Sequence, residues 1–162
     1  MARPPRFSDA LAVLARHQVD LVIVGGVAAV LNGAPLATFD LDIVHERSPE
    51  NIDRLLAALA DLDARYRDPG GRDLRPEAIS LAGDGHHLLL TSCGPVDVLG
   101  KVGRESHYED LLRDSVSMPI GGASVRVLGL AALIRSKEEA DREKDRAVLN
   151  VLRETLRERQ GS

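Results

Sequence analysis

The run DLVIVGG, residues 20–26, constrains the fold more than any other segment. It places consecutive apolar residues from Leu21 to Val24 ahead of two glycines. This reads as a strand buried on both faces with a sharp exit, the kind found in sheets covered by helices. The segment VAAVLNG that follows reads as a short helix stopped at Asn32-Gly33. A buried strand that turns at once into a helix begins an α/β layer.

The remaining chain alternates in the same way. FSDALAVLARHQ has apolar residues at helical spacing, with Ser8 as its expected N-cap. FDLDIV alternates, with Phe39, Leu41 and Ile43 on one face and Asp40, Asp42 and Val44 on the other. SPENIDRLLAALADLDARY opens as a helix, with Ser48 as cap, Pro49 at the first helical position and Glu50 in the first turn. RDPGGRDLRP is a loop, and its PGGRD is a turn rather than a phosphate loop, because no buried strand feeds it. HHLLLTSCGPVDVLG reads as two strands around a Cys93-Gly94 turn. A short helix near YEDLLRDS, a strand pair near VSMPIGGASVRVL and a strongly helical tail complete the chain. There is no internal repeat. The expectation is a single α/β (α+β) domain: a mixed sheet with flanking helices over 1–128, and a C-terminal helical extension over 129–162 packed on that core.

Composition narrows the class. The 162 residues suffice for one domain with a real core. Apolar residues make up 44% but aromatics only 2%, so the core must be built from Leu, Val, Ile and Ala. The single Cys93 excludes an internal disulfide and a cysteine-cluster metal site, which fits a reducing cytoplasm. MARPPRFSDA lacks the apolar region of a signal peptide. No apolar run approaches the roughly 20 residues that span a bilayer, so no membrane partner is expected. A net charge of −4 argues against broad nucleic-acid binding, without excluding a local basic groove.

The tripeptide Asp-Leu-Asp occurs twice, and the two copies differ in kind. Asp61 and Asp63 fall late in a helical pattern, where residues two apart point about 200° apart and cannot converge on one ion. Asp40 and Asp42 fall on a strand, where residues two apart share a face. Carboxylates held that close are stable as anions only beside a cation. The same spacing also fits a polar strand face at a sheet edge. Gly25 and Gly26 can bring backbone amides close to a phosphate at a helix N-terminus, or serve only the steric needs of the turn. Asp97, between Val96 and Val98, is a lone acid on an otherwise apolar strand, needing a partner if buried or facing water if not.

Taken together, the glycine pair, the short helix, ATFDLDIV and PVDVLG resemble the nucleotidyltransferase superfamily with the DNA polymerase beta fold. Small bacterial and archaeal members, toxin-like or antibiotic-modifying, are the nearest in style. The resemblance implies a nucleotidyltransferase-like mixed sheet. It implies transfer of a nucleoside monophosphate from an NTP to a hydroxyl, with release of pyrophosphate by a two-metal mechanism. Gly25 and Gly26 would hold the triphosphate. Asp40 and Asp42 would ligate two Mg²⁺ ions, with Asp97 completing the metal site and serving as base. Thr38 would orient the loop or touch phosphate through its hydroxyl, or make only a local hydrogen bond.

The chain departs from that pattern at two places. Gly26 stands where many members have Ser, and Leu36 where many have Arg, so one positive charge near the triphosphate is missing. In LIRSKEEADREKDRAV, Lys137 and Lys144 lie seven apart on one helix face. In toxin-like relatives a helix of this kind donates a Lys to the triphosphate, which makes Lys137 the first candidate and Lys144-Asp145 the second. The same alternation of charges also suits a solvated helix with i,i+4 ion pairs. The alternative is a catalytically degenerate binding or regulatory module, such as half of a toxin-antitoxin pair. The acceptor is open among a tRNA end, a small molecule and a protein side chain, and a protein partner or homodimer stays open too. His86-His87 reads as a surface pair, His45 as a residue that could face the site, and Cys93 as a small buried residue.

Overall fold

A computed structural model describes residues 5–161 of the chain. Helix α1 (Phe7–Arg16) leads to β1 (Leu21–Val24), which passes directly into α2 (Gly25–Leu31). Then come β2 (Leu41–His45), α3 (Pro49–Asp61), β3 (Arg65–Tyr66) and α4 (Ala78–Leu81). The hairpin β4 (His86–Thr91) and β5 (Gly94–Leu99) follows, then α5 (Tyr108–Arg113) and a second hairpin, β6 (Ser115–Ile120) and β7 (Ala123–Leu128). Helices α6 (Leu130–Ala140) and α7 (Glu143–Gln160) complete the described chain.

The strands form one mixed sheet in the order β3-β4-β5-β2-β1-β7-β6. Two pairings are parallel, β2 with β5 and β1 with β7, and the rest are antiparallel. All four residues of β1 are buried, as its apolar run requires. On β4 the pattern alternates, with His87, Leu89 and Thr91 buried while His86, Leu88 and Leu90 stay exposed. That alternation marks a sheet with one covered face and one open face at this end.

Cross-strand partners share a face, so the register says what the open face carries. Leu88 pairs with Asp97, Asp97 with Asp42, and Asp42 with Val24. The opposite face of the same strands carries Leu89, Val96, Val98, Leu41, Ile43 and Ile23, all buried. Beyond the sheet, α1 packs on β6 and β7 and against α3, and α3 packs against α4. Helix α2 packs on β1 and β2 and touches α6, which pairs with α7.

Two buried amides tie the layers together. Asn51, fully buried, accepts from the Asp20 amide at 2.8 Å and donates to the carbonyls of Asp20 (3.0 Å) and Glu46 (2.7 Å). It locks the start of α3 to the strands below. Asn32 donates to the carbonyls of Ala28 (2.8 Å) and Leu128 (3.0 Å), and its side-chain oxygen accepts from Arg159 at 3.0 Å. It joins α2, the end of β7 and α7.

Three local expectations are corrected. Helix α1 starts at Phe7, so Ser8 lies inside it and caps nothing. The Arg6 amide is bonded to the Cys93 carbonyl at 2.9 Å, and with Arg6 as N-cap the helix starts two residues earlier, so that Phe7 packs against the core. Phe39 does not share the buried face of Leu41 and Ile43. It is 72% exposed, because β2 begins only at Leu41 and the residues before it run as a loop. Helix α3 ends at Asp61, and Asp63 lies beyond it in the left-handed region (φ 51°), bonded to Arg75 at 2.6 Å. As expected, those two acids diverge. Asp61 instead meets His17 at 2.6 Å.

The α6–α7 joint contains a buried ion cluster. Asp141 turns the chain with φ 48°, and three residues into α7 the side chain of Asp145 is fully buried. Its carboxylate takes Arg142 Nε at 2.6 Å, Lys137 Nζ at 3.1 Å and the Arg142 amide at 3.2 Å. Burial alone would raise this carboxyl, but Arg142 and Lys137 outweigh it and hold it down to about 2. Because its folded value lies below its unfolded one, the cluster's contribution is full above the unfolded carboxylate range. It is lost as pH falls through about 2. Replacing Asp145 removes the one buried charge and leaves the half-buried Lys137 and the exposed Arg142 without their carboxylate. Asp145→Ala is therefore expected to cost about 2–3 kcal/mol at pH 7 and to lower Tm by roughly 5–10 °C in scanning calorimetry. The gap between wild type and variant should close at strongly acid pH.

Candidate active site

The site is built at the carboxyl end of β1, where it meets the start of β2. Gly25 has φ 66°, the left-handed region that disfavours side chains. A Cβ there would collide with the Asp42 carboxylate, so the position requires glycine on two grounds. A Cβ on Gly26 would stand 2.7 Å from Thr38 Oγ1. The glycine pair thus lets the turn lie directly against Asp42 and Thr38. The Thr38 hydroxyl donates to the Asp40 carbonyl at 3.3 Å and so braces the loop that carries the first acid.

Asp40 precedes β2 and Asp42 lies within it. Asp97 is the direct neighbour of Asp42 across the parallel β2–β5 ladder. The fold therefore brings all three acids to one end of one sheet face. Burial pushes the Asp42 carboxyl up to about 7, with Asp97 and Asp40 adding to the rise and Lys137 opposing it. Its Oδ1 is buried without a hydrogen-bond partner. Burial also raises Asp97, against the pull of Arg67. The site thus holds more negative charge than its protein partners neutralise.

Arg67 was not indicated by the sequence. It follows β3, donates to Asp97 Oδ1 and comes within 3.9 Å of Asp40 Oδ1. Its guanidinium stands where a cation is needed. Its only sequence signal was charge in a loop, and the pairing that brings it to Asp97 exists only in the folded sheet.

Next to Asp42 a cavity of about 150 Å³ opens between the sheet end and α6, and Gly25, Lys101, Lys137 and Arg142 line it. Lys137, held by Asp145, shares this lining with Asp42. Lys144 is exposed and outside this lining. Lys101 was missed. It comes four residues after Asp97, and its ammonium is only loosely matched by Glu105 (3.6 Å) and Asp84 (4.0 Å). Together with Arg142 these lysines put positive charge beside Asp42, while Leu36 packs against the core.

Other candidates lie elsewhere. His45 is fully buried on the opposite face and donates through Nε2 to the Leu81 carbonyl at 2.7 Å. His86 and His87 are not a surface pair. His87 is buried with its Nδ1 2.8 Å from the Tyr66 hydroxyl, while His86 is exposed and lines the cavity, because strand alternation separates them. Cys93 is a small buried residue.

Among the described residues no three acidic, His or Cys side chains close around an ion by themselves. Mg²⁺ does not need such a cage, since it keeps waters and binds through one or two carboxylates plus phosphates. The oxygen-only donor set, the orphaned Asp42 Oδ1 and the glycine turn against it all fit that ion.

The raised Asp42 carboxyl carries a consequence for stability. A group whose folded value exceeds its unfolded one favours folding at low pH, and that advantage is lost as pH rises through about 7. In metal-free protein, Asp42→Asn should therefore stabilise the fold at pH 8 by about 1–3 kcal/mol and flatten the fall in Tm between pH 5 and 8. Thermal scans across that range check it. Added Mg²⁺ should raise Tm in the wild type and not in the variant.

No protein-family model and no curated protein matches the chain. Solved structures do. A candidate nucleotidyltransferase of Thermotoga maritima is 17% identical, with a TM-score of 0.60 over 98% of this chain and 96% of that one. The lincosamide antibiotic adenylyltransferase LnuA, lincomycin-bound, is 12% identical, with a TM-score of 0.60 over 91% and 94%. ANT(2")-Ia in complex with adenylyl-2"-tobramycin is 16% identical, with a TM-score of 0.58 over 93% and 87%. This chain has the fold of the nucleotidyltransferases.

Proposed function

We propose that the protein transfers a nucleoside monophosphate from an NTP to a hydroxyl acceptor and releases pyrophosphate. The observation that carries this reading is Asp42, a half-buried carboxylate whose Oδ1 is buried with no hydrogen-bond partner among the described residues, set between a glycine turn and a second acid. Such a group is costly unless a cation arrives to meet it. The adenylyltransferases that share the fold support the reaction class.

Each residue has a part in this scheme. The turn at Gly25 and Gly26, lying against Asp42 and Thr38, brings backbone close to the triphosphate. Lys137, fixed by Asp145, and Lys101 neutralise its charge from the cavity side. Asp40, Asp42 and Asp97 would hold Mg²⁺, which supplies Lewis acidity at the attacking oxygen and at the departing pyrophosphate. The acceptor oxygen bonds to the α-phosphorus while the bond to the bridging oxygen breaks. Pyrophosphate leaves with that electron pair, and the hydroxyl proton passes to Asp97. Burial, which raises Asp97, suits it to keep a proton.

A second reading, a binding or regulatory module without turnover, is favoured by one observation. Arg67 covers Asp97, the group that must receive the proton. Calorimetric titration of ATP, GTP, CTP and UTP with Mg²⁺ separates the two. The transferase reading expects metal-dependent binding of at least one nucleotide, lost in Asp40→Asn/Asp42→Asn. A folded wild type that takes up none supports the module.

A further inference from the structure

The open sheet face continues past Asp97 onto the edge of the sheet. Arg65 pairs with Leu90 in the β3–β4 ladder, and the Arg67 amide bonds the Leu88 carbonyl at 3.0 Å. Leu88 in turn faces Asp97. Arg65, Arg67, Leu88 and Leu90 therefore lie on the same face as the three acids. Leu88 is 48% exposed and Leu90 37%, an apolar floor that the fold leaves open. A cleft of about 780 Å³ lies there, lined by Arg65, Tyr66, Arg67, Arg72 and Leu90, with the loop after β3 as its wall. This is the size of a small-molecule site.

The charges in this cleft do not balance. Asp68 is matched by Arg72 through two bonds of 3.0 Å, and Asp73 by Arg75 at 2.8 Å. The Arg65 side chain makes no hydrogen bond and no close ion pair among the described residues; its one acidic neighbour, Asp63, is already bonded to Arg75 at 2.6 Å. Arg67 belongs to both places, since it lines the cleft while its guanidinium lies on Asp97. A cation bound by Asp40 and Asp97 would take over the charge that Arg67 now neutralises and would repel it. A guanidinium released from Asp97 would keep its place in the cleft lining, beside Arg65, without a carboxylate partner there.

We propose that this cleft is the acceptor subsite, and that it takes a small hydroxyl compound carrying a phosphate or carboxylate, held by Arg65 and Arg67. Guanidinium forks match such groups with paired hydrogen bonds. The hydroxyl then reaches Asp97 over the floor of Leu88 and Leu90. A polycationic acceptor meets two uncompensated arginines and is excluded. The inference rests on the transferase reading and adds the acceptor's charge to it.

The test uses the full chain saturated with Mg²⁺ and an α,β-methylene analogue of the NTP it binds. Ribose 5-phosphate, gluconate and tobramycin are titrated in turn by calorimetry. One of the two anions should bind, which identifies the group as phosphate or carboxylate, and tobramycin should not. Arg65→Ala, which lies outside the acid cluster, and Arg67→Ala should each weaken anion binding at least tenfold with Tm retained. Binding of tobramycin alone, no saturable anion binding, or anion binding unchanged in both variants overturns the proposal. A wild type that binds Mg²⁺ and NTP but no anion overturns this inference only. One that binds no NTP overturns the transferase reading as well.

Discussion

Asp42 and Asp97 face each other across a parallel ladder, and burial keeps both from relaxing into water. Two carboxylates at strand spacing repel, and neither can move without breaking the β2–β5 register. Much around them answers that repulsion. Arg67 reaches in from the edge, Lys137 lowers the cost from the cavity side, and Gly25 gives way where a side chain would strike Asp42. A fold that maintains such a charge conflict gives up stability to keep it.

That expense is carried by parts far from the acids. The aliphatic core behind β1, β2 and β5 fixes the register, and one residue of slip would send Asp42 to the covered face. Asn51 and Asn32 fix the helices by satisfying carbonyls that a core cannot leave unpaired. Asp145 sets Lys137 at the joint of two helices. A buried ion cluster there does for a side chain what the sheet register does for the acids.

Much of this was legible in the chain itself. A continuous apolar run announced β1 and the glycine pair its exit, because these signals act over a few residues; period-two spacing put Asp40 on the strand with Asp42, whereas β2 starts one residue after Asp40. The antithesis with Asp61 and Asp63 also followed from local geometry. What escaped depended on pairing between distant segments. Arg67 reaches Asp97 only because β3 adds to β4, and two residues of strand leave almost no periodicity to read. Lys101 faces Asp42 only across the end of the sheet. Phe39 was misplaced because the strand pattern was carried outside β2, and Ser8 because the helix begins before it, at Phe7.

The two borders of the sheet bear on how the molecule meets copies of itself. One is β3, two residues long, and the other is β6, which contains Pro119 and so offers one fewer amide to an incoming strand. Sheet-to-sheet extension, the easiest route to fibrils and to strand-exchanged dimers, finds little template at either side. Backbone pairing is thus the less favoured route of self-association at both borders.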